Sequence, residues 1–421
     1  MKSAPWTHLL LTLFLLEEGC CQQLAPPTGN LREGSRAISP PGRDLGGGKR
    51  ASIQLVPHNS AFAFDLFRKV ASCSSGENIF FSPLSISTAF AMLSLGARDA
   101  TLTELFKGLD FAKLPVEEVH AGFRYLIHTL GQLNRNLRLN VGNVLFVEEQ
   151  MRPLQYFLRD IRYWYAAEAI PTNFHDPLAA RDQINGYVDQ KTQGKIPDLI
   201  GNLDSESALV LASYIFFQAQ WEKKFDPRQT QEDDFFLTED KSIKVPMMYR
   251  GGMYRYGYDD QLSCTILEMP YKGNATGLFI LPDERNLERV EAELQKDTVA
   301  RWKKLITRRS IDVSLPKFSI SGTYDLKPLL YKMGIMKVFT EYGELSKIAA
   351  QHSLKLTKAV HKAVLKIDEK GTEGAAGSSV EAMPMIMPSL VKFNQPFLVI
   401  ITDDFTDSIL FLGKVANPAG K

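Results

Sequence analysis

One segment near the end of the chain is almost devoid of large side chains in its first half. Residues 371–387 read GTEGAAGSSVEAMPMIM, and all of the first nine except Glu373 are Gly, Ala, Ser or Thr. Gly, Ala and Ser are poor strand formers and stabilise no local structure, so the segment is predicted to start as a mobile loop. Whatever fold the rest of the chain adopts has to present this loop at its surface.

The residues of this segment alternate in character. Small or apolar side chains share one parity, whereas Glu373 and Glu381 fall on the other. Because side chains alternate between the two faces of a strand, the segment could enter a sheet with its small face inward and both carboxylates outward. A flexible Gly/Ala linker is the alternative interpretation, since such alternation also arises by chance. The small positions are Thr372, Gly374, Ala376, Ser378, Val380 and Ala382.

Methionines and prolines alternate at the end of the segment. Met383, Met385 and Met387 are interleaved with Pro384 and Pro388. Methionine normally lies in a core, so three of them in a loop are unusual. Prolines hold the backbone extended, and the methionine side chains between them are therefore predicted to be offered to the pocket of a partner.

Composition indicates a globular chain without an overall charge. Of the 421 residues, 44% are hydrophobic and 23% are charged, which suffices for a large core, and length alone predicts two or three domains. Lys and Arg total 49 against 48 Asp and Glu, so no global field attracts nucleic acid or a membrane. A polyanion site would have to be a local patch.

The N-terminus has the pattern of an export signal. Lys2 precedes an apolar run at 9–16, and we expect residues 1–21 to be a signal peptide that directs secretion to the extracellular space. Glu17 and Glu18 leave the cleavage site itself open. The run is too short for the about 20 residues that span a bilayer, and no later run is long enough.

The remainder divides into a tail and one large domain. Residues 22–52 are rich in Pro, Gly and Arg and are predicted to be a flexible N-terminal tail, while 53–421 form the domain. Asn274 begins the only Asn-x-Ser/Thr sequon, and export makes its glycosylation expected. Cys73 and Cys264 are the cysteines outside the signal, and the sequence leaves open whether they pair.

Hydrophobic periodicity predicts an α+β fold with large sheets. Helical patterns cover 61–71 and 82–96, where Pro83 suits the first turn after Ser82. Strand-like runs dominate the last third of the chain. The predicted strands are 139–147, 208–217, 265–269, 277–281, 311–315, 391–402 and 408–415.

No motif indicates catalysis. The histidines form no His-Glu-x-x-His zinc signature, and neither a Gly-x-Ser-x-Gly elbow nor a phosphate or dinucleotide loop is present, so no metal or cofactor is expected. His361 could be the base of a triad scattered through the chain, but a lone histidine beside apolar strands is usually structural. The seven histidines are His8, His58, His120, His128, His175, His352 and His361.

Five separated motifs resemble those of the serpin family. Together with the loop, they are most similar to the secreted clade A group that includes α1-antitrypsin and vaspin, and the resemblance covers 55–421. The motifs are FFSPLSIS (80–87), YIFFQAQW (214–221), the hinge DEKGTEGAAG (368–377), VKFNQPFLVII (391–401) and FLGKVANP (411–418).

The resemblance implies a single metastable α+β domain with three β-sheets, about nine helices and an exposed reactive-centre loop at about 369–391. A serine protease would attack the bond between Met385 and Ile386, and the cleaved loop would insert into the central sheet and trap the acyl-enzyme. An apolar Met385 implies an elastase- or chymotrypsin-like target, with Met383 and Met387 as alternative cleavage sites. The protein itself would be a monomer without catalytic machinery.

The resemblance also assigns supporting residues. Lys317 would pair with Glu369 at the start of the hinge, and Trp221 would cap the breach, the end of the central sheet where insertion begins. The family usually has Asn where this chain has Ser213, so His361 is expected to be less well satisfied. The remaining assignments are the shutter residues Ser82, Ser85 and His361 and the hinge residues Gly371, Thr372, Gly374, Ala375, Ala376 and Gly377.

A basic stripe predicts a weak site for heparin or another glycosaminoglycan. Arg301, Lys304 and Arg308 are spaced to share one helix face, while Trp302 and Ile306 would face the core. Such stripes bind sulfated chains through salt-dependent contacts, although a solvated charged face is the plainer interpretation. Lys303 and Arg309 add charge nearby.

Two other function classes compete with protease inhibition. Some relatives in this group carry steroid or thyroid hormones, and they can retain much of the same fold. The small residues at every inward position of the hinge favour an inhibitor over such a carrier. A serine hydrolase is the second rival, with no motif in its favour.

Overall fold

The architecture is known from a computed structural model, which describes residues 45–74, 76–132, 137–349, 354–372 and 388–420. Residues 44–421 form one unit by their internal contacts. Helices and strands alternate along this unit, which confirms the predicted α+β class. The described helices are α1 (Leu45–Ala71), α2 (Pro83–Ser94), α3 (Asp99–Gly108), α4 (Val116–Leu130), α5 (Gln155–Tyr165), α6 (Pro177–Lys191), α7 (Leu287–Glu293), α8 (Thr298–Leu305) and α9 (Leu326–Lys332).

Fifteen strands are present in the described part of the chain, and two short 3-10 helices lie at Pro227–Gln229 and Lys337–Phe339. The strands are β1 (Ile79–Phe81), β2 (Leu137–Glu148), β3 (Glu168–Thr172), β4 (Leu209–Gln220), β5 (Gln231–Thr238), β6 (Lys241–Asp259), β7 (Cys264–Pro270), β8 (Ala275–Pro282), β9 (Thr307–Pro316), β10 (Phe318–Asp325), β11 (Lys358–Ile367), β12 (Gly371–Thr372), β13 (Ser389–Lys392), β14 (Phe397–Asp403) and β15 (Ile409–Val415).

The first helix is longer than predicted. It begins at Leu45, so residues 45–52 are helical and the predicted tail ends earlier than residue 52. Packing overrides the poor helix propensity of the glycines, because a Cβ on Gly48 would lie 3.3 Å from Tyr125 of α4. Ala51 is buried in the same interface.

The second helix follows its sequence signals. The Ser82 side chain accepts a hydrogen bond from the Ser85 backbone N–H at 3.1 Å, and Pro83 occupies the first turn, as predicted. Every residue of α2 is buried, so this helix is a central rod of the core that fixes Ser82 and Ser85 against the six-stranded sheet.

The six-stranded sheet has the order β10-β11-β4-β2-β3, with β12 added to β4. One face packs on the main core, through residues such as Leu211 and Ile215 of β4. The opposite face carries a smaller cluster, in which Val210 and Ala212 lie with Ile184 of α6. Strands buried on both faces explain the continuous apolar run of β4.

The other sheet has nine strands, with the path β1-β15-β14-β8-β7-β6-β9-β13 and β5 added to β6. The long strand β6 pairs with β9 along Met247–Tyr256 and with β7 along Arg255–Asp259. The hydrogen-bonded ladder therefore continues through β6 from β9 to β7. For this reason the described strands form two continuous sheets where three were predicted.

One predicted strand is two strands. The run 391–402 divides into the end of β13, which pairs parallel with β9, and β14, which pairs antiparallel with β8. Residues 393–396 cross between them, and Pro396 cannot donate a backbone hydrogen bond to a ladder. Among the described residues, no helix combines the length and apolar character needed to cross a membrane.

Candidate functional site

The six-stranded sheet is split at one end between β4 and β11. These strands pair in parallel from Lys358 opposite Val210 to Val364 opposite Phe216, and we call this ladder the seam. Beyond the seam β11 no longer pairs with β4. The edge of β4 that is open there pairs with β12 instead. Thr372 lies opposite Ala219, so the chain that leads into the loop already enters the sheet as its first two residues.

A tight turn reverses the chain between β11 and β12. Asp368 and Gly371 exchange backbone hydrogen bonds of 3.0 and 3.2 Å. Gly371 has φ +126°, and a Cβ there would lie 2.5 Å from the carbonyl oxygen of Ala219. Only glycine fits this backbone and this approach, which gives the first hinge glycine a structural reason.

Trp221 fastens this turn to the end of β4. Its indole Nε1 donates to the Asp368 carbonyl at 3.0 Å, and its backbone N–H donates to the Lys370 carbonyl at 3.0 Å. The ring stacks on Tyr271 with centroids 4.2 Å apart and is buried. Trp221 therefore lies at the open end of the seam, the position that the resemblance implies for the breach residue.

The Glu369 side chain points into a polar pocket under the turn. Lys317 Nζ lies 3.0 Å from Glu369 Oε2, which is the predicted pair, and Thr230 Oγ1 donates to Oε1 at 2.9 Å. Burial opposes ionisation of this carboxyl, but hydrogen bonds from its own backbone N–H, Lys317 and Thr230 outweigh it and lower its pKa. Sequence reasoning missed Thr230 and also Phe225, whose backbone N–H donates to the Glu369 carbonyl at 2.9 Å.

A row of polar side chains crosses the same sheet farther along the seam. Asn143 of β2, Ser213 of β4, His361 of β11 and Tyr324 of β10 are successive cross-strand neighbours. Directly opposed residues share a face, so all four project toward the β1–α2 segment. Tyr324 Oη accepts a hydrogen bond from the Phe80 backbone N–H at 3.1 Å.

His361 is satisfied on both ring nitrogens. Nε2 accepts from the Ser82 backbone N–H at 3.0 Å, and Nδ1 lies 3.2 Å from Ser213 Oγ. Because Nε2 is an acceptor, the ring proton sits on Nδ1 and is donated to Ser213. The Ser213 and Ser85 hydroxyls are 2.8 Å apart. The expectation that Ser213 leaves His361 poorly satisfied is therefore wrong, because Ser213 itself is the partner.

Complete burial lowers the pKa of His361 to about 3. A second proton on Nε2 would also face the Ser82 N–H donor. His361 is thus neutral at physiological pH, and its contact with Ser213 is a neutral hydrogen bond across the seam.

A family model described as Serpin (serine protease inhibitor) matches residues 57–418. The chain belongs to the serpin family. It is 50% identical to Serpin A12 of Homo sapiens over 373 residues, which cover 89% of this chain and 90% of that protein. It is 45% identical to Alpha-1-antitrypsin of Sus scrofa over 373 residues, covering 88% and 89%. The predicted clade A serpin is confirmed.

Solved serpin structures agree with the fold. The structure of human thyroxine-binding globulin matches with a TM-score of 0.85 and 40% identity, and the match covers 88% of this chain and all of that one. The prediction of a serpin fold is therefore confirmed at the level of architecture. The relatives include proteins named as protease inhibitors and a protein named for a hormone, so the fold alone does not distinguish the two functions.

The contact between Ser213 and His361 is not the catalytic pair of an enzyme. A nucleophile and its base have to meet substrate, but both side chains are completely buried behind α2. The ring has Ser82 and Ser213 as its described partners, with no carboxylate to orient it. In this serpin the pair is a buried contact across the seam.

The predicted basic stripe does not form. Helix α8 ends at Leu305, so Arg308 and Arg309 lie in β9 and not on the helix face. Arg301 binds Asp259 at 2.8 Å, and Lys303 binds Asp407 at 2.6 Å. The inward residues Trp302 and Ile306 are buried as predicted, and the cations of the predicted stripe are divided between α8 and β9.

The structure describes some of the other predicted residues of this serpin and not others. Asn274 is exposed in the turn before β8, as its sequon requires. Cys73 is exposed and Cys264 is buried, and both thiols are free. In the described residues no group of His, Cys, Asp or Glu could hold a metal ion. The reactive bond Met385–Ile386 and the hinge residues Gly374, Ala375, Ala376 and Gly377 lie outside the described residues.

Proposed function

We propose that this serpin inhibits serine proteases by suicide cleavage of its reactive-centre loop, followed by insertion of the loop into the seam between β4 and β11. The observation that carries the proposal is the pairing of Thr372 with Ala219. The chain that leads into the loop is already hydrogen-bonded to the edge of β4 that a new strand would use. It runs antiparallel to β4, the direction required for continued insertion.

The register of this first pairing supports the parity of the loop. Continued along β4, it places Gly374 opposite Phe217 and Ala376 opposite Ile215. Phe217 and Ile215 are completely buried in the main core. Small residues are therefore aimed at the face with the least space, as expected for a segment that inserts rapidly.

The other parity meets less crowded surroundings near the breach. Glu373 would come opposite Gln218, which is half-buried. Glu381 would come opposite Val210, which packs against residues of α6. Insertion that reaches Glu381 would therefore bring this side chain toward α6.

Energetics favour insertion once the loop is free. The closed seam is a parallel ladder, and an inserted strand would replace it with two antiparallel ladders, which are slightly more stable per residue. Before cleavage both ends of the loop are tied, at β12 and at β13, so the chain cannot pass fully into the seam. Cleavage releases this constraint, and strand addition then supplies the energy that displaces the protease.

Complex formation with a purified protease tests this proposal. We expect chymotrypsin-like or elastase-like enzymes to form a covalent complex that survives SDS, because the acyl-enzyme is trapped before hydrolysis. Trypsin-like enzymes require Lys or Arg in their primary pocket and are expected to react poorly. A loop that is cleaved without any trapped complex would contradict inhibition.

The cleavage site is expected to follow Met385. An apolar, unbranched side chain fits the primary pocket of these proteases, and Pro384 and Pro388 hold the flanking backbone extended. Sequencing the C-terminal fragment released by the target enzyme should give Ile386 as its first residue. Cleavage after Met383 or Met387 would move the bond within the same segment, and a site outside 383–387 would overturn the assignment.

Hormone carriage is the alternative function. It rests on the similarity to human thyroxine-binding globulin, whose name states its ligand. Titration with thyroxine, followed by tryptophan fluorescence, distinguishes the two. Saturable binding together with a loop that is cleaved without trapping would identify a carrier.

We also propose that the protein is exported and glycosylated at Asn274. The side chain is exposed, and Gly273 with φ +118° turns the chain outward just before it. Exposed turns are where sequons are modified in secreted proteins. A mass loss on treatment of the exported protein with an N-glycosidase, absent from Asn274→Gln, tests both statements.

A further inference from the structure

A thiol and an amine from distant parts of the chain meet at the surface of this serpin. Lys332 Nζ, at the end of α9, lies 2.8 Å from the sulfur of Cys73, which follows the end of α1. Both residues are exposed, and the Cys73 thiol is free. They are 259 positions apart in the sequence, but α1 and α9 are neighbours in the fold. The two reactive atoms are therefore in contact at a place that small solutes reach from solvent.

The contact favours the thiolate form of Cys73. Lys332 donates to the sulfur, and hydrogen bonds from Lys332 and Ser72 lower the pKa of Cys73. Among the described residues, the sulfur is the one printed partner of the Lys332 ammonium. Cys264 is the opposite case, because it is buried and burial raises the pKa of its thiol to about 12. Of these two cysteines, Cys73 is therefore the one that an oxidant attacks.

We propose that hydrogen peroxide converts this pair into a covalent crosslink, a sulfenamide between Cys73 Sγ and Lys332 Nζ. The thiolate first attacks the peroxide, so that an S–O bond forms as the O–O bond breaks, and the departing hydroxide takes a proton from the Lys332 ammonium. This step gives a sulfenic acid, a neutral amine and one water. The amine then attacks the sulfenic sulfur, and an S–N bond forms as the S–O bond breaks with release of a second water. Sulfur is oxidised, and one peroxide is reduced.

Lys332 is what distinguishes this pair from an ordinary exposed cysteine. It supplies the proton for the leaving hydroxide, and by losing that proton it becomes the nucleophile that captures the sulfenic acid. The crosslink joins α1 to α9, the helix that follows the edge strand β10 of the six-stranded sheet. Closing so long a loop lowers the entropy of the unfolded chain and stabilises the folded protein, until a reducing thiol breaks the S–N bond. The inference does not depend on protease inhibition.

Peroxide treatment of the intact protein, followed by peptide mass mapping, tests the crosslink. The peptides that contain Cys73 and Lys332 should be joined, at a mass two hydrogens below the sum of the two free peptides. On a non-reducing SDS gel the treated chain should migrate faster, because it contains a closed loop, and dithiothreitol should restore the original band. The urea midpoint of the treated protein should lie above that of the Cys73→Ser variant treated in the same way.

Lys332→Arg is the matched control, because arginine keeps a positive charge beside the sulfur but stays protonated and cannot attack it. This variant should carry oxidised Cys73 without any linked peptide. Methionine oxidation is common to all of the variants and is not reversed by dithiothreitol, so it cancels in the comparison. Sulfinic acid at Cys73 of the wild-type protein with Lys332 free would overturn the proposal. So would a fast band that persists in Lys332→Arg, which would indicate a disulfide with Cys264.

Discussion

Replacing Thr372 with arginine is expected to turn this serpin from an inhibitor into a substrate. Thr372 pairs with Ala219, which is completely buried, so its register position is on the core face of the sheet, and arginine there opposes both the pairing of β12 and the insertion that continues it. Burying an unpaired charge is unfavourable by several kcal/mol, and insertion slows accordingly. Hydrolysis of the acyl-enzyme then becomes faster than insertion of the loop. The ratio of cleaved to trapped serpin should therefore rise about tenfold or more.

The neighbouring position provides a matched control. Glu373→Arg places a guanidinium one residue along the loop, opposite the half-buried Gln218, where the charge can stay hydrated. It should therefore change the ratio little. Densitometry of trapped and cleaved bands on SDS gels measures both variants. An equal loss of trapping in the two variants would show that the register of β12 does not continue into the inserted strand.

Sequence reasoning predicted two kinds of feature: those that are local in the sequence, and those that the resemblance to the family supplies. The alternation of the loop is local and needs no tertiary information, and it stays a prediction because residues 373–387 lie outside the described part of the chain. The contact between Lys317 and Glu369 joins residues 52 positions apart and was predictable only through the resemblance. Thr230 belongs to no motif, and its contact with Glu369 depends on the tertiary fold, which no pattern in one sequence specifies.

The wrong predictions share a physical cause. The prediction of a basic stripe assumed that the helix continues past Leu305. Residues 307–316 instead pair with β6 along ten successive positions. The prediction of a flexible tail relied on the Gly-rich composition up to residue 52. Gly48 and Ala51 instead pack against α4. In both places tertiary contacts overrode local propensity, which is a weak determinant compared with burial and pairing.

Acidification is expected to destabilise the native protein strongly through two buried histidines. Burial lowers the pKa of His361 to about 3, and burial together with the charge of Lys347 lowers the pKa of His120 to about 3. The unfolded chain binds these protons near pH 6.5, so stability is complete above that pH and is lost progressively as the pH falls toward 3. At pH 5 each histidine lowers the free energy of unfolding by about 2 kcal/mol.

Together the two histidines account for about 4 kcal/mol between pH 7.5 and pH 5, a large part of the 5–15 kcal/mol typical of a folded domain. Urea unfolding at the two pH values measures the loss. His361→Gln should remove about half of the pH dependence, because glutamine can accept from the Ser82 N–H and donate to Ser213 without titrating. His120→Gln should remove the other half.

His175→Gln is the control for these variants, because His175 is exposed. It should leave the pH dependence unchanged. Carboxyl groups also titrate in this range, and burial raises the pKa of Asp403, but their contribution is common to all variants and cancels in the comparison. If the three glutamine variants lost stability equally on acidification, the loss would come from those carboxyl groups or from net charge. The shutter histidine would then not be the group that makes the closed sheet sensitive to acid.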